Sequence, residues 1–212
     1  MQNTVPAGSV MSVEHQLAEH ALAGRKEAYA AEVRKLIDAA FRVMLERGDI
    51  DPSVRDIVTE SGLSNQAFYR HFRSKDELLV AVLTDGQRRL VDHLEGRVAS
   101  TADPAEQLRR WIAGVLAQAQ NTKAADATRP FVINRARLAD RYPTEVAASR
   151  AQLLTTLLPT VRALGGNEHD AECIHDLAMQ RMDDALVHRR PPDRKAIEQL
   201  YQFCLGGIRR GA

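Results

Sequence analysis

SVRDIVTESGLSNQAFYRHFRSKDELL, residues 53–79, decides the fold. Ser53, with Asp56 three residues on, is a capping box at the head of a short helix. Gly62 supplies the positive φ that a tight turn between two helices requires. Ser64 caps a second short helix over 65–71. Ile57, Leu63 and Phe68 then fall into one small apolar core, while Asn65, Gln66 and Tyr69 point away from it. Asn and Gln in that position suit bidentate hydrogen bonds to adenine in the major groove. Ser74, with Glu77 three residues later, caps a third helix. Its free N–H groups and Lys75 form an anion site that fits a phosphate. The layout is a helix-turn-helix.

The register of FYRHFRSKDELL makes the reading more specific. The stretch resembles the DNA-binding domain of the tetracycline-repressor (TetR) family of one-component transcriptional regulators. That family's pattern runs Ile-Ala-x-x-Ala-Gly-Val-Ser, then Gly-x-Phe/Leu-Tyr-x-His-Phe-x-Ser/Asn-Lys-Glu/Asp-x-Leu. Ile57, Gly62, Ser64, Phe68, Tyr69, His71, Phe72, Ser74, Lys75, Asp76 and Leu78 stand in register with it. Val58 and Ser61 replace small alanines, and Gln66 replaces a frequent glycine. The resemblance implies an N-terminal operator reader and a C-terminal domain that dimerises and binds a small effector. It also makes Tyr69, His71 and Lys75 similar to the family's phosphate-contacting positions. The expected DNA-binding set is Ser53, Arg55, Ser64, Asn65, Gln66, Tyr69, Arg70, His71, Arg73 and Lys75. His71 has a second reading, as a histidine favoured by the dipole at a helix C-terminus.

The remaining 185 residues of this 212-residue chain fit a helical protein large enough to bury a core. Hydrophobic residues make up 44% and charged residues 27%, an ordinary globular balance. Two cysteines exclude a disulfide framework. No apolar run approaches a membrane span, and MQNTVPAGSVMSVEHQ lacks the pattern of a signal peptide, so a cytoplasmic location is expected. Residues 1–90 hold 12 Lys and Arg against 13 Asp and Glu. A reader that is not basic overall must place its cations locally, at Arg55, Arg70, Arg73 and Lys75, with Asp49, Asp51 and Glu60 turned away from the duplex.

Periodicity and punctuation predict an all-α chain of roughly nine helices. Residues 1–24 read as a flexible arm that Gly24 separates from a helix over 25–47. Residues 25–73 read as the helix-turn-helix domain, and 74–212 as an effector-binding and dimerisation domain. A long helix follows Ser74. Asp103 and Pro104 open the next. Residues 121–129 read as a polar loop and 131–141 as a helical piece. A helix over 145–164 is kinked or split at Pro159. Asn167 caps another, and the last follows Pro191 and Pro192.

Wide apolar stripes in the C-terminal half predict an effector pocket. Its expected lining is Trp111, Val115, Phe131, Asn134, Leu138, Leu154, His175, Met179 and Met182, with Arg135, Arg137 and Arg141 nearby. The expected guest is apolar or amphipathic, with one polar or acidic end, acyl-like. The stripes of the last two long helices predict a homodimer through Leu177, Ala185, Leu186, Ile197, Leu200, Tyr201, Cys204, Leu205 and Ile208. Gly206 and Gly207 lie where helices can approach closely. His169, Cys173, His175 and Asp176 lack the spacing of a structural zinc site, so neither metal nor cofactor is expected. Catalytic motifs for an enzyme are missing. The alternative readings are an architectural or activating helix-turn-helix protein without small-molecule input, and a helical enzyme with an unrecognised site.

Overall fold

The computed structural model describes residues 13–211, with side chains described over 18–208. Ten helices and no strand occur among them. In chain order they are α1 (Val13–Arg47), α2 (Val54–Ser61), α3 (Asn65–His71), α4 (Lys75–Ala99), α5 (Pro104–Gln120), α6 (Thr122–Ile133), α7 (Arg135–Arg141), α8 (Pro143–Ala163), α9 (Glu168–Val187) and α10 (Arg194–Gly211).

The local punctuation acts as the spacing predicts. Ser53 and Asp56 form a reciprocal capping box on α2, and Gly62 closes that helix at φ +69°. Ser64 accepts from the Ala67 N–H, and Ser74 accepts from the Glu77 N–H. Asn167 and Asp170 form a second box on α9. Each cap satisfies backbone donors that the first helical turn leaves open.

Three departures from expectation have local causes. Gly24 does not interrupt α1, which is continuous from Val13. A lone interior glycine costs only about 1 kcal/mol, and alanines and glutamates surround it. Residues 121–129 are not a loop. Asn121 caps α6 through the Ala124 N–H, and the alanine-rich segment is helical up to Asn134, where α7 begins. This division accounts for the tenth helix. Pro159 does not split α8, because Leu153, Leu157 and Val161 are buried on either side of it and hold the rod in place.

Two apolar cores are strung along α4. The first joins Leu36, Met44, Ile57, Phe68 and Phe72 to Leu78, Leu79 and Val82 of α4, and takes in Leu138 and Tyr142. The second collects Leu94 of α4 with Trp111, Val115, Leu157, Met182 and Leu205 of the later helices. Gly114 makes the α4–α5 approach close: a Cβ there would lie 2.6 Å from Leu94 Cδ2. Beyond the first core, residues 18–31 of α1 are exposed.

Candidate nucleic-acid interface and effector core

α3 is anchored by Ala67 and Phe68, the latter fully buried, so the opposite face is presented outward by geometry alone. Asn65, Gln66, Tyr69 and Arg70 are exposed on it, Tyr69 to 60%. Ser53 and Ser64 sit at the N-termini of α2 and α3, with their hydroxyls engaged in the caps. Arg55 and Arg73 are exposed and have no ion pair among the described residues, which leaves both guanidinium groups available.

The other candidate cations are tied down. Arg70 is paired with Glu32 of α1. The same carboxylate lies 2.6 Å from His71 Nε2, and the Tyr29 ring stands edge-on to the imidazole at 4.3 Å. The hydrogen bond from His71, and then that from Arg70, holds the Glu32 carboxyl below its usual pKa. The His71 side chain is only 1% exposed. It holds α3 against α1 and does not offer its ring to a phosphate, so the phosphate-contact reading of His71 is corrected. Lys75 Nζ lies 2.5 Å from Asp51 Oδ1, and Arg137 reaches Asp51 Oδ2 at 3.1 Å. Asp51 therefore faces the proposed anion site instead of turning away, because the loop ahead of α2 packs on the start of α4. The Lys75 hydrogen bond keeps its carboxyl below the ordinary range. Glu60 is paired with Arg42 at 2.5 Å.

The expected effector lining divides between the two cores. Trp111, Val115, Leu154, Met179 and Met182 pack in or against the second core. Phe131 and Leu138 belong to the first, where Phe131 stacks on Phe41 at 6.3 Å. Asn134 gives its amide to the Pro130 carbonyl at the α6–α7 junction. The three arginines expected near an acidic guest are bound to acids of their own chain. Arg135 meets Asp183 at 2.7 Å, Arg137 meets Asp51, and Arg141 meets Asp76. α7 is thereby stitched to α9, to the α1–α2 loop and to the start of α4.

His175 of α9 is the unusual group of the second core. It is 5% exposed, and its ring lies 6.4 Å from that of Trp111. Nδ1 is 2.7 Å from Asp176 Oδ1. Nε2 is buried with no hydrogen-bond partner among the described residues. A buried acceptor without a donor costs about 1–3 kcal/mol. Burial pushes the His175 pKa down, against the opposing pull of Asp176. Beside it, Trp111 Nε1 donates to Thr156 Oγ1 at 2.7 Å, and that hydroxyl donates to the Leu153 carbonyl. Thr156 was missed in the sequence because its partner is 45 residues away.

The expected dimer face is also redistributed. Leu186, Leu200, Tyr201, Cys204, Leu205 and Ile208 lie in the chain's own second core, with Ala185, Leu177 and Ile197 half-buried against it. The Cys204 thiol is pushed up to about 11 by burial. What α9 and α10 leave outward is a shallow apolar groove lined by Cys173, Leu177, Phe203 and Gly207, with Phe203 72% exposed.

Residues 36–82 match the family model described as bacterial regulatory proteins, tetR family. The chain is 35% identical over 80 residues to the HTH-type transcriptional regulator BetI of Brucella anthropi, which covers 38% of this chain and 41% of that protein. It is 29% identical over 113 residues to an uncharacterized HTH-type transcriptional regulator of Mycobacterium tuberculosis, over 51% of this chain and 55% of that one. The chain thus spans about half the length, or less, of these curated relatives. A transcriptional regulator from Rhodococcus sp. Rha1 superposes with a TM-score of 0.67 at 24% identity, covering 85% of this chain and 97% of that one. The fatty acid degradation regulator FadR from Bacillus halodurans gives 0.64 at 19% identity, covering 84% and 96%. At such identities the likeness shows the fold. These relatives and fold neighbours are regulators, not enzymes. Among the described residues, no helix is long and apolar enough to cross a membrane.

Proposed function

Since residues 36–82 match the tetR family of bacterial regulatory proteins, we propose that this chain is a cytoplasmic one-component repressor. In this reading it binds a palindromic operator as a homodimer and releases it when a small effector enters the second core. The observation that carries the reading is the construction of α3: a buried Phe68 fixes the helix and leaves Asn65, Gln66 and Tyr69 exposed, and the unpaired Arg55 and Arg73 are exposed as well. Helix α4 supports a link between the two functions, because one continuous rod has Leu78 in the reader core and Leu94 in the effector core. Effector binding then shifts the population toward dimers whose two α3 helices no longer match successive major grooves.

Selection from random DNA with the purified protein tests the reading. We expect an enriched palindrome with half-sites about 34 Å apart or a multiple of it. Asn65→Ala and Gln66→Ala should each cost about 1–3 kcal/mol and relax the preference at one position per half-site. Lys75→Ala should weaken binding to all sequences alike and lower the salt slope by about one per half-site. The loss should be modest, since Lys75 must leave Asp51 to reach a phosphate. Failure to enrich any palindrome, with all three variants binding like the parent, would sink the proposal.

A further inference from the structure

We propose that the second core selects an uncharged guest that donates a hydrogen bond to His175 Nε2, such as the hydroxyl of an alcohol or phenol or the N–H of a primary amide. It discriminates against carboxylates. The inference rests on reading the C-terminal half as an effector domain, and names the chemical class that this domain takes.

Asp176 is held by Arg150 of α8, whose Nη2 lies 3.2 and 3.1 Å from its two oxygens. Its pKa is lowered by Arg150 and by His175, against the effect of burial. An ionised carboxylate only accepts, so in the 2.7 Å contact between Nδ1 and Asp176 Oδ1 the hydrogen is on His175 Nδ1. A neutral imidazole carries one hydrogen, and Nε2 is therefore a bare acceptor. Neutrality follows from burial, with Arg150 and Arg135 adding to it. Asp176 is 60% exposed while Nε2 is sealed, so the free lone pair looks inward.

The walls near that lone pair offer it nothing. The Trp111 indole N–H is spent on Thr156, and the Thr156 hydroxyl on the Leu153 carbonyl. An arriving donor completes the set. An arriving carboxylate meets a lone pair and finds both neighbouring donors committed. An ammonium is disfavoured as well, because a buried cation needs a counter-charge and Asp183 is already bound to Arg135. Met179, one turn along α9 and half-buried, is a flexible side chain able to yield to the guest's apolar part. Of the polar or acidic end expected from the sequence, this arrangement favours the polar, uncharged form. His71 has a similar orphan at Nδ1, but its ring is locked between Glu32 and Tyr29, and reaching it means parting α1 from α3.

The chain has a single tryptophan, and it is Trp111, so its emission reports on this site alone. Full-length protein at pH 8 is titrated with 1-octanol, with methyl heptyl ether of the same size but no donor, and with octanoate. We expect saturable shifts in emission, with octanol half-saturating at a concentration about tenfold below the ether and octanoate. In His175→Leu, checked for folding by circular dichroism, octanol should lose that advantage over the ether. If the variant does not fold, the three wild-type titrations decide. Equal or tighter binding of the ether or octanoate overturns the inference. So does the absence of any saturable shift with all three probes, or a folded His175→Leu that keeps the octanol preference. Palindrome selection uses no probe, so failure here leaves operator binding to be judged separately.

Discussion

Phe203→Glu is expected to convert the protein to folded monomers at micromolar concentration, read by light scattering, with operator affinity reduced by about a hundredfold or more. The residue is 72% exposed on α10, beside Leu177 and Gly207, so the charge enters solvent in the monomer and fold stability changes little. In a dimer that buries this face, two copies of the charge meet an apolar surface near the two-fold axis. Loss of the linked half-site removes the avidity advantage, on the order of 10²–10⁴ for two tethered modules. Leu205→Glu is the control. Leu205 lies two residues further along the same helix, but is 6% exposed and belongs to the second core. A carboxylate there costs several kcal/mol without a partner, so that variant should unfold rather than dissociate. A stable dimer of Phe203→Glu would show that the α9–α10 groove is not the interface.

Trp111→Ala should lower stability by about 3–5 kcal/mol, as large core truncations do. Trp111 is fully buried at the centre of the second core, and its N–H is the donor to Thr156. For a chain of this size that corresponds to a fall in Tm of roughly 6–20 °C. Trp111→Phe keeps most of the packing and loses mainly the hydrogen bond, so it should cost distinctly less. Urea unfolding followed by circular dichroism measures both, since the tryptophan signal goes with the residue. A loss under about 1 kcal/mol in the alanine variant would mean that the core collapses around the gap. Trp111→Ala, although Trp111 belongs to the expected effector lining, therefore acts first on the fold.

How much was legible beforehand follows the range of the interactions. Ser53 with Asp56, Ser64 with Ala67, Ser74 with Glu77 and Asn167 with Asp170 each close over three residues, and all four N-caps form at the residues the sequence assigns to them. The outward face of α3 follows from the same local rule, because burying Phe68 leaves Asn65, Gln66 and Tyr69 on the other side. The inward side of α10 did not follow. Its apolar stripe is wide enough to serve either a partner or the chain's own core, and only the packing of α5 and α9 assigns Leu200, Tyr201, Cys204, Leu205 and Ile208 to the core and Phe203 to the surface.

By itself the sequence determined the all-α class, the helix-turn-helix, its caps and the residues exposed on the outer face of α3, since these rest on i to i+3 hydrogen bonds and helical period. Tertiary structure alone decided the partners of the charged and polar groups. Glu32 is 39 residues from His71, Arg137 is 86 from Asp51, and Arg141 is 65 from Asp76. No periodicity encodes such separations. A side chain's freedom to meet a phosphate or a guest depends on which distant group has already taken it, and that is known only when the helices are packed.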